Sequence, residues 1–203
     1  MIICITGPMA AGKNTVASLL VKSGWVSVDA DELVHKAIAY VTPQILAFFS
    51  PAAKKAGIPL VKEDGSLDRR SLGSLIFNDA ALLSKQESIV YPEVNRLVDE
   101  FILSNTGRNI IINAAVLYKI PSLMKKCSIV LYVTAPYLKR LFRAKTRDCL
   151  PYRQIVTRFH SQRKLYRNYK KTGVPVIKIN NTGSRSALLR KTDIILKQIV
   201  KNT

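Results

Sequence analysis

The apolar positions of this 203-residue chain fall into short continuous runs that alternate with helical stripes. Ile2-Ile3-Cys4-Ile5 is a run of the kind that fills a buried parallel strand, and after a glycine-bracketed loop Val16, Ala17, Leu19 and Leu20 continue at helical spacing. Ser23-Gly24 predicts the end of that helix, and Trp25 to Val28 a second short strand running into Asp29-Ala30-Asp31. Residues 31–57 read as helical, divided at Pro43 and ended by Gly57. Asp64-Gly65 predicts a turn before a helix that repeats Leu72, Leu75 and Ile76. A further helical stretch runs from about Asp79 to Asn105, with an interruption at Tyr91-Pro92. Asn109 to Ala114, Ser128 to Val133 and Val174 to Ile179 read as three more strands. The last helix, about 184–200, places Leu188, Leu189, Ile195, Leu196 and Ile199 on one stripe. Strand alternating with helix predicts an α/β fold with a five-stranded parallel sheet, and the long helical interval after the second strand predicts an insertion.

Composition bounds this picture. The length fits a single domain and an apolar fraction of 48% is ample for a core. Cys4, Cys127 and Cys149 are odd in number, far apart and without a C-x-x-C pair, which argues against a disulfide framework or a zinc site and fits a reducing compartment. No basic leader precedes the first strand, and no apolar run approaches the roughly 18 residues a membrane helix needs. A soluble, cytoplasmic protein is expected. The formal charge of +19 attracts polyanions, either nucleic acid or a phosphate-rich small molecule. From Lys139 to Lys171 basic residues recur every few positions with Asp148 the only acid, whereas Asp29, Asp31 and Glu32 gather just after the first helix.

The chemistry concentrates at the first strand. From Gly7 to Lys13 the spacing is G-x-x-x-x-G-K, the Walker A pattern, whose backbone N–H groups and helix start surround phosphates while the lysine reaches the β and γ oxygens. A tight strand–helix connection is the plainer reading, and strand, spacing and helix together count against it. The position after the lysine, which normally carries the Ser or Thr hydroxyl that holds Mg²⁺, is Asn14, followed by Thr15. Asp29 and Asp31 come at the carboxyl end of the second strand, the edge of an open parallel sheet where ligands sit, although either could instead cap the next helix. Arg163 to Lys171 interleaves cations with tyrosines, the pattern of a single-strand nucleic-acid binder.

Five strands, a Walker A loop on the first, a helical insertion and a late basic helical hairpin resemble the nucleoside monophosphate kinase group of P-loop proteins. Within it, the chain is similar to the dephospho-CoA kinase family. The D-A-D element is Asp29-Ala30-Asp31, and D-G-x-L-x-R followed by L-x-x-x-[IV]-F is Asp64 to Arg69 with Leu72, Ile76 and Phe77. Arg143 stands four residues before Arg147-Asp148, Gln162 fifteen residues on, and Ile179-Asn180-Asn181-Thr182-Gly183 is the I-x-N-x-G element. The chain departs from the family at Asn14, at Tyr91-Pro92 for its H-P pair, and at Ala114 to Tyr118 for its P-L-L-[FV]-E.

The resemblance implies one P-loop kinase domain with a core of about 1–30, 106–140 and 173–203, a helical substrate-binding insertion of about 31–105 and a basic lid of about 141–172. It implies ATP-dependent phosphorylation of the ribose 3′-hydroxyl of dephospho-CoA, with Mg²⁺ as cofactor. Lys13, Asp31 and Arg147 are the implied catalytic residues. Gly7, Ala10, Ala11, Gly12, Lys13, Asn14, Thr15, Arg143 and Asn181 are the implied ATP site, with Asn14 on the metal directly or through water. Asp29, Asp31, His35 and Arg69 are the implied substrate contacts, with Asp29 also reaching the metal through water. Asn181 as a turn former, and His35 and Arg69 as structural or surface residues, are the competing readings. A kinase for another nucleotide or nucleoside, or a basic nucleic-acid-binding P-loop protein, is the alternative function.

Overall fold

The computed structural model describes residues 1–77 and 79–201, the side chains of the last three excepted. β1 (Ile2–Thr6) leads through the glycine loop into α1 (Lys13–Lys22) and then β2 (Val26–Asp29). The interval before the next strand holds α2 (Ala30–Tyr40), α3 (Thr42–Lys55), α4 (Arg69–Ile76) and α5 (Ala80–Leu103). After β3 (Ile110–Asn113) come a 3₁₀ turn at Leu117–Lys119, α6 (Pro121–Met124) and β4 (Ile129–Thr134). α7 (Tyr137–Asp148), α8 (Tyr152–Ser161) and α9 (Leu165–Lys170) precede β5 (Val176–Asn180), and α10 (Arg185–Lys201) follows it. The basic stretch is therefore three helices, where a two-helix hairpin was expected. The chain divides into two compact units, one built from residues 1–30 with those from 104 on, the other Asp31–Leu103.

The first unit is the sheet and its helices. All strands are parallel, in the order β2-β3-β1-β4-β5, so β1 lies in the middle. Its apolar runs explain this position: Ile3, Cys4, Ile5, Ile111, Ile112, Val130 and Leu131 are wholly buried, as a sheet covered on both faces demands. On one face, Val16, Leu19 and Leu20 of α1 and Leu188 and Leu196 of α10 close over β1, β3 and β4, with Leu189 and Ile195 partly buried at the margin. The Ile199 side chain of the expected stripe lies outside the described residues. Register brings Asp29 of β2 beside Asn113 of β3, and Asn113 beside Ile5 of β1. The carboxyl ends of these strands and the start of the glycine loop thus share one edge.

The second unit is helical. Val41 separates α2 from α3, and Pro43 sits in the first turn of α3, where its missing N–H forfeits no helical bond. Asp68 caps α4, accepting from the Arg70 and Ser71 amides at 2.9 and 3.2 Å. The expected break at Tyr91-Pro92 does not occur, because α5 runs unbroken through Pro92. Pro92 and Ser88, whose carbonyl loses its helical partner, are both exposed, so water can take the bond, while Val90, Val94 and Val98 keep one buried stripe.

Candidate active site

The loop between β1 and α1 is shaped by positions that tolerate little else. A Cβ on Gly7 would come 2.2 Å from the Val133 carbonyl oxygen of β4, so the loop can leave the sheet this closely only with glycine. Gly12, at φ +102°, would place a Cβ 2.2 Å from Asn181 Nδ2. Ala10 is also left-handed, at φ 60°, and Ala11 N–H donates to Pro8 O at 3.0 Å, which curls the backbone into a concavity that opens on the start of α1. Helix starts leave amides without helical partners, so this end presents N–H groups suited to an anion.

Asn181 staples that loop to the sheet. Its N–H donates to Thr134 O at 2.7 Å and its Nδ2 to Ala11 O at 2.9 Å, and only 7% of the residue is exposed. Both readings from the sequence missed this contact, since β5 and the loop meet only in the folded sheet.

Asn113 ends β3 at 5% exposure and was not foreseen. Its Oδ1 accepts from Lys13 Nζ at 3.5 Å, and its Nδ2 donates to Asn14 Oδ1 at 3.1 Å and Asp29 Oδ2 at 3.0 Å. The loop lysine, the residue after it and the first carboxylate of D-A-D therefore meet on one amide. A polar residue closing an otherwise apolar strand run was the available signal.

On its other side the loop meets α7 and α8. Met9 N–H donates to Gln162 Oε1 at 2.7 Å and Met9 O accepts from Arg140 Nε at 2.9 Å. Met9 and Ala10 pack against a small core of Ala144, Ile155 and Phe159, and the Arg140 guanidinium lies 4.0 Å from the Phe159 ring centre. One terminal nitrogen of Arg140 and one of Arg143 are buried without a hydrogen-bond partner. Burial pulls the Arg140 pKa below the usual arginine range, against the opposing pull of Tyr132 and Tyr137. Arg140 was also missed; it lies one turn before Arg143 on the same helix.

Arg147 is placed differently. Its side chain is 62% exposed and its guanidinium forks onto Asp148, Nε to Oδ1 at 2.7 Å and a terminal nitrogen to Oδ2 at 3.0 Å. That contact raises the Arg147 pKa and holds the Asp148 carboxyl below its usual range. In the second unit Asp31 and His35 are exposed about one turn apart on α2, and exposed Arg69 opens α4. Thr15 is half-buried on the first turn of α1.

Hard oxygen donors are what Mg²⁺ takes, and Asn14 Oδ1 and the Asp29 carboxylate supply them at the loop edge. Among the described residues there is no group of three or more His, Cys, Asp and Glu that could hold a metal ion. Within Arg163 to Lys171 both tyrosines pack against the fold. Tyr169 is fully buried, accepting from Leu117 N–H at 2.9 Å, and Tyr166 stacks edgewise on Tyr132 at 5.0 Å. Neither is a free platform for bases, although Tyr137, Phe142 and Tyr152 on α7 and α8 are exposed. No helix among the described residues is long and apolar enough to cross a membrane.

A central parallel strand that delivers a Walker A loop, with arginine-bearing helices packed on that loop, defines a P-loop kinase of the nucleoside monophosphate kinase type. A profile of dephospho-CoA kinase matches residues 1–185, and a dephospho-CoA kinase of Treponema denticola is 35% identical over 205 residues, 99% of this chain and 90% of that protein. The chain belongs to the dephospho-CoA kinase family, and its activity is that family's, phosphorylation of dephospho-CoA to complete coenzyme A. A solved structure from Thermus thermophilus is 28% identical and superimposes with a TM-score of 0.80 over 98% of this chain and 97% of that one. A dephospho-CoA kinase structure from Campylobacter jejuni, at 23% identity and a TM-score of 0.60 over 98% and 96% of the two chains, shares the fold.

Proposed function

We propose that the loop edge of the sheet binds ATP and that its γ-phosphoryl group passes to the ribose 3′-hydroxyl of dephospho-CoA, with Lys13, Asp31 and Arg147 as the catalytic side chains. The observation that carries this reading is the pair of buried, unpartnered guanidinium nitrogens of Arg140 and Arg143 on the helix that touches the phosphate loop. Leaving such a donor unmet costs about 1–3 kcal/mol or more, and triphosphate oxygens entering the loop would meet it.

In this reading the amides of Gly7, Ala10, Gly12 and Thr15 and the Lys13 ammonium take the β and γ phosphates, Ala11 curls the loop through its bond to Pro8, and Asn181 fixes the loop that presents them. Mg²⁺ carried by the nucleotide would neutralise charge between the β and γ oxygens, and Asn14 and Asp29 are the residues suited to hold the ion or its waters. Asp31 accepts the hydroxyl proton as the 3′-oxygen attacks phosphorus, the bond to the bridging oxygen of ADP breaks, and ADP leaves. A base in that role is worth about 10²–10⁴ in rate. Arg147 exchanges Asp148 for the transferring phosphoryl oxygens as residues 141–172 close on the nucleotide, and Arg69, Asp29 and His35 bind the acceptor.

Incubating the protein with ATP, Mg²⁺ and a panel of dephospho-CoA, nucleoside monophosphates and nucleosides tests this. Phosphorylation of dephospho-CoA with no comparable product from the others is expected. A nucleoside or its monophosphate as the preferred acceptor would overturn it.

A further inference from the structure

We propose that Asn113 is a positioning residue for phosphoryl transfer, its neutral carboxamide holding the Lys13 ammonium, the Asn14 oxygen and the Asp29 carboxylate in one arrangement. The inference rests on the reading of Lys13, Asn14 and Asp29 as the phosphate and metal side of the site.

The three partners fix which way the amide faces. An ammonium can only donate and a carboxylate can only accept, so Oδ1 must face Lys13 and Nδ2 must face Asp29. The second N–H of that nitrogen then reaches Asn14, which must turn its own oxygen toward Asn113. The one atom of Asn14 able to ligate a cation is thereby given a fixed position. Neither an apolar residue nor an aspartate could do this: the first would leave Asp29 and Asn14 without their donor, and the second would set oxygen against oxygen at about the same 3.0 and 3.1 Å. The contact to Lys13, at 3.5 Å, is at the long limit for a hydrogen bond. It steers the ammonium without trapping it, so Lys13 can turn to phosphate while the other two partners stay in place. Asn113 itself is only 5% exposed, so its amide has little water to exchange these partners for.

Asn113→Asp is the informative variant, since it keeps size and removes the donor. With ATP, Mg²⁺ and dephospho-CoA, we expect kcat about 10²-fold below wild type, the scale of a misplaced reacting group, with KM for dephospho-CoA little changed. A kcat within about threefold of wild type, or a loss confined to KM, overturns the proposal. Should the variant not fold, Asn113→Ser replaces it: loss of kcat well below the melting temperature supports positioning, while a lowered melting temperature with normal kcat means packing alone. Lys13→Ala in the same assay separates the two levels. Its retained turnover would remove the site reading itself, whereas an inactive Lys13→Ala beside an unaffected Asn113 variant would remove only the role of Asn113.

Discussion

Arg147 and Arg143 stand four residues apart on one helix and meet opposite conditions. Arg147 reaches solvent and spends its fork on Asp148, while Arg143 keeps a terminal nitrogen buried and unpaired. An exposed ion pair of this kind adds little to stability, so the geometry is better understood as a parked guanidinium than as a brace. Its planar fork matches two phosphate oxygens as well as it matches two carboxylate oxygens, whereas lysine offers a point charge on a flexible stem. Arg147→Lys should therefore lose nearly as much kcat as Arg147→Ala, on the order of 10³-fold, with no change in melting temperature. Steady-state kinetics on both variants checks this, and full activity in the lysine variant would leave Arg147 a surface residue.

At the scale of elements, α5 shows how context outweighs a local rule. Proline inside a helix removes one bond and costs about 3 kcal/mol relative to alanine, yet α5 continues because its Val90, Val94 and Val98 stripe is buried while Ser88 and Pro92 are exposed. Pro92→Ala should stabilise the protein by about 1–2 kcal/mol, less than the full helical penalty because proline also restricts the unfolded chain. Urea unfolding of the full chain measures it, and an unchanged or lower midpoint would mean that the ring itself packs usefully. The basic helices carry the same lesson in charge. Tyr169 serves the core, buried beneath the loop that leaves β3 with its phenol pKa pushed up by that burial, while Arg163, Lys164, Arg167, Lys170 and Lys171 around it face outward.

For the molecule as a whole, burial sorts the three thiols. Cys4 and Cys127 lie within the sheet unit, where burial drives the Cys4 thiol pKa well up and pushes that of Cys127 up to about 12, whereas Cys149 is exposed at the end of α7. A thiol with a raised pKa stays protonated and unreactive until pH approaches it. Iodoacetamide at pH 8 should add one group to the native protein and three after denaturation, as read by intact mass. Rapid labelling of all three in the native state would contradict the closed sheet. Screening should likewise weaken any polynucleotide binding steeply, since a charge of +19 drives it through counterion release.

The sequence alone determined the strand and helix alternation, the phosphate loop and the family pattern, because each is a property of neighbouring residues: a run of isoleucines, a glycine spacing, a stripe every three or four positions. Even the inward pull of β1 was legible in Ile2 to Ile5. Only the tertiary structure decided that β3 lies between β1 and β2, and with it everything that converges on the loop. Asn113 lies 100 residues from Lys13, Arg140 131 from Met9 and Asn181 170 from Ala11. No local rule couples such positions. Each residue acquires its role from the parallel register that aligns the carboxyl ends of the strands, and that register is set by burying the whole sheet at once.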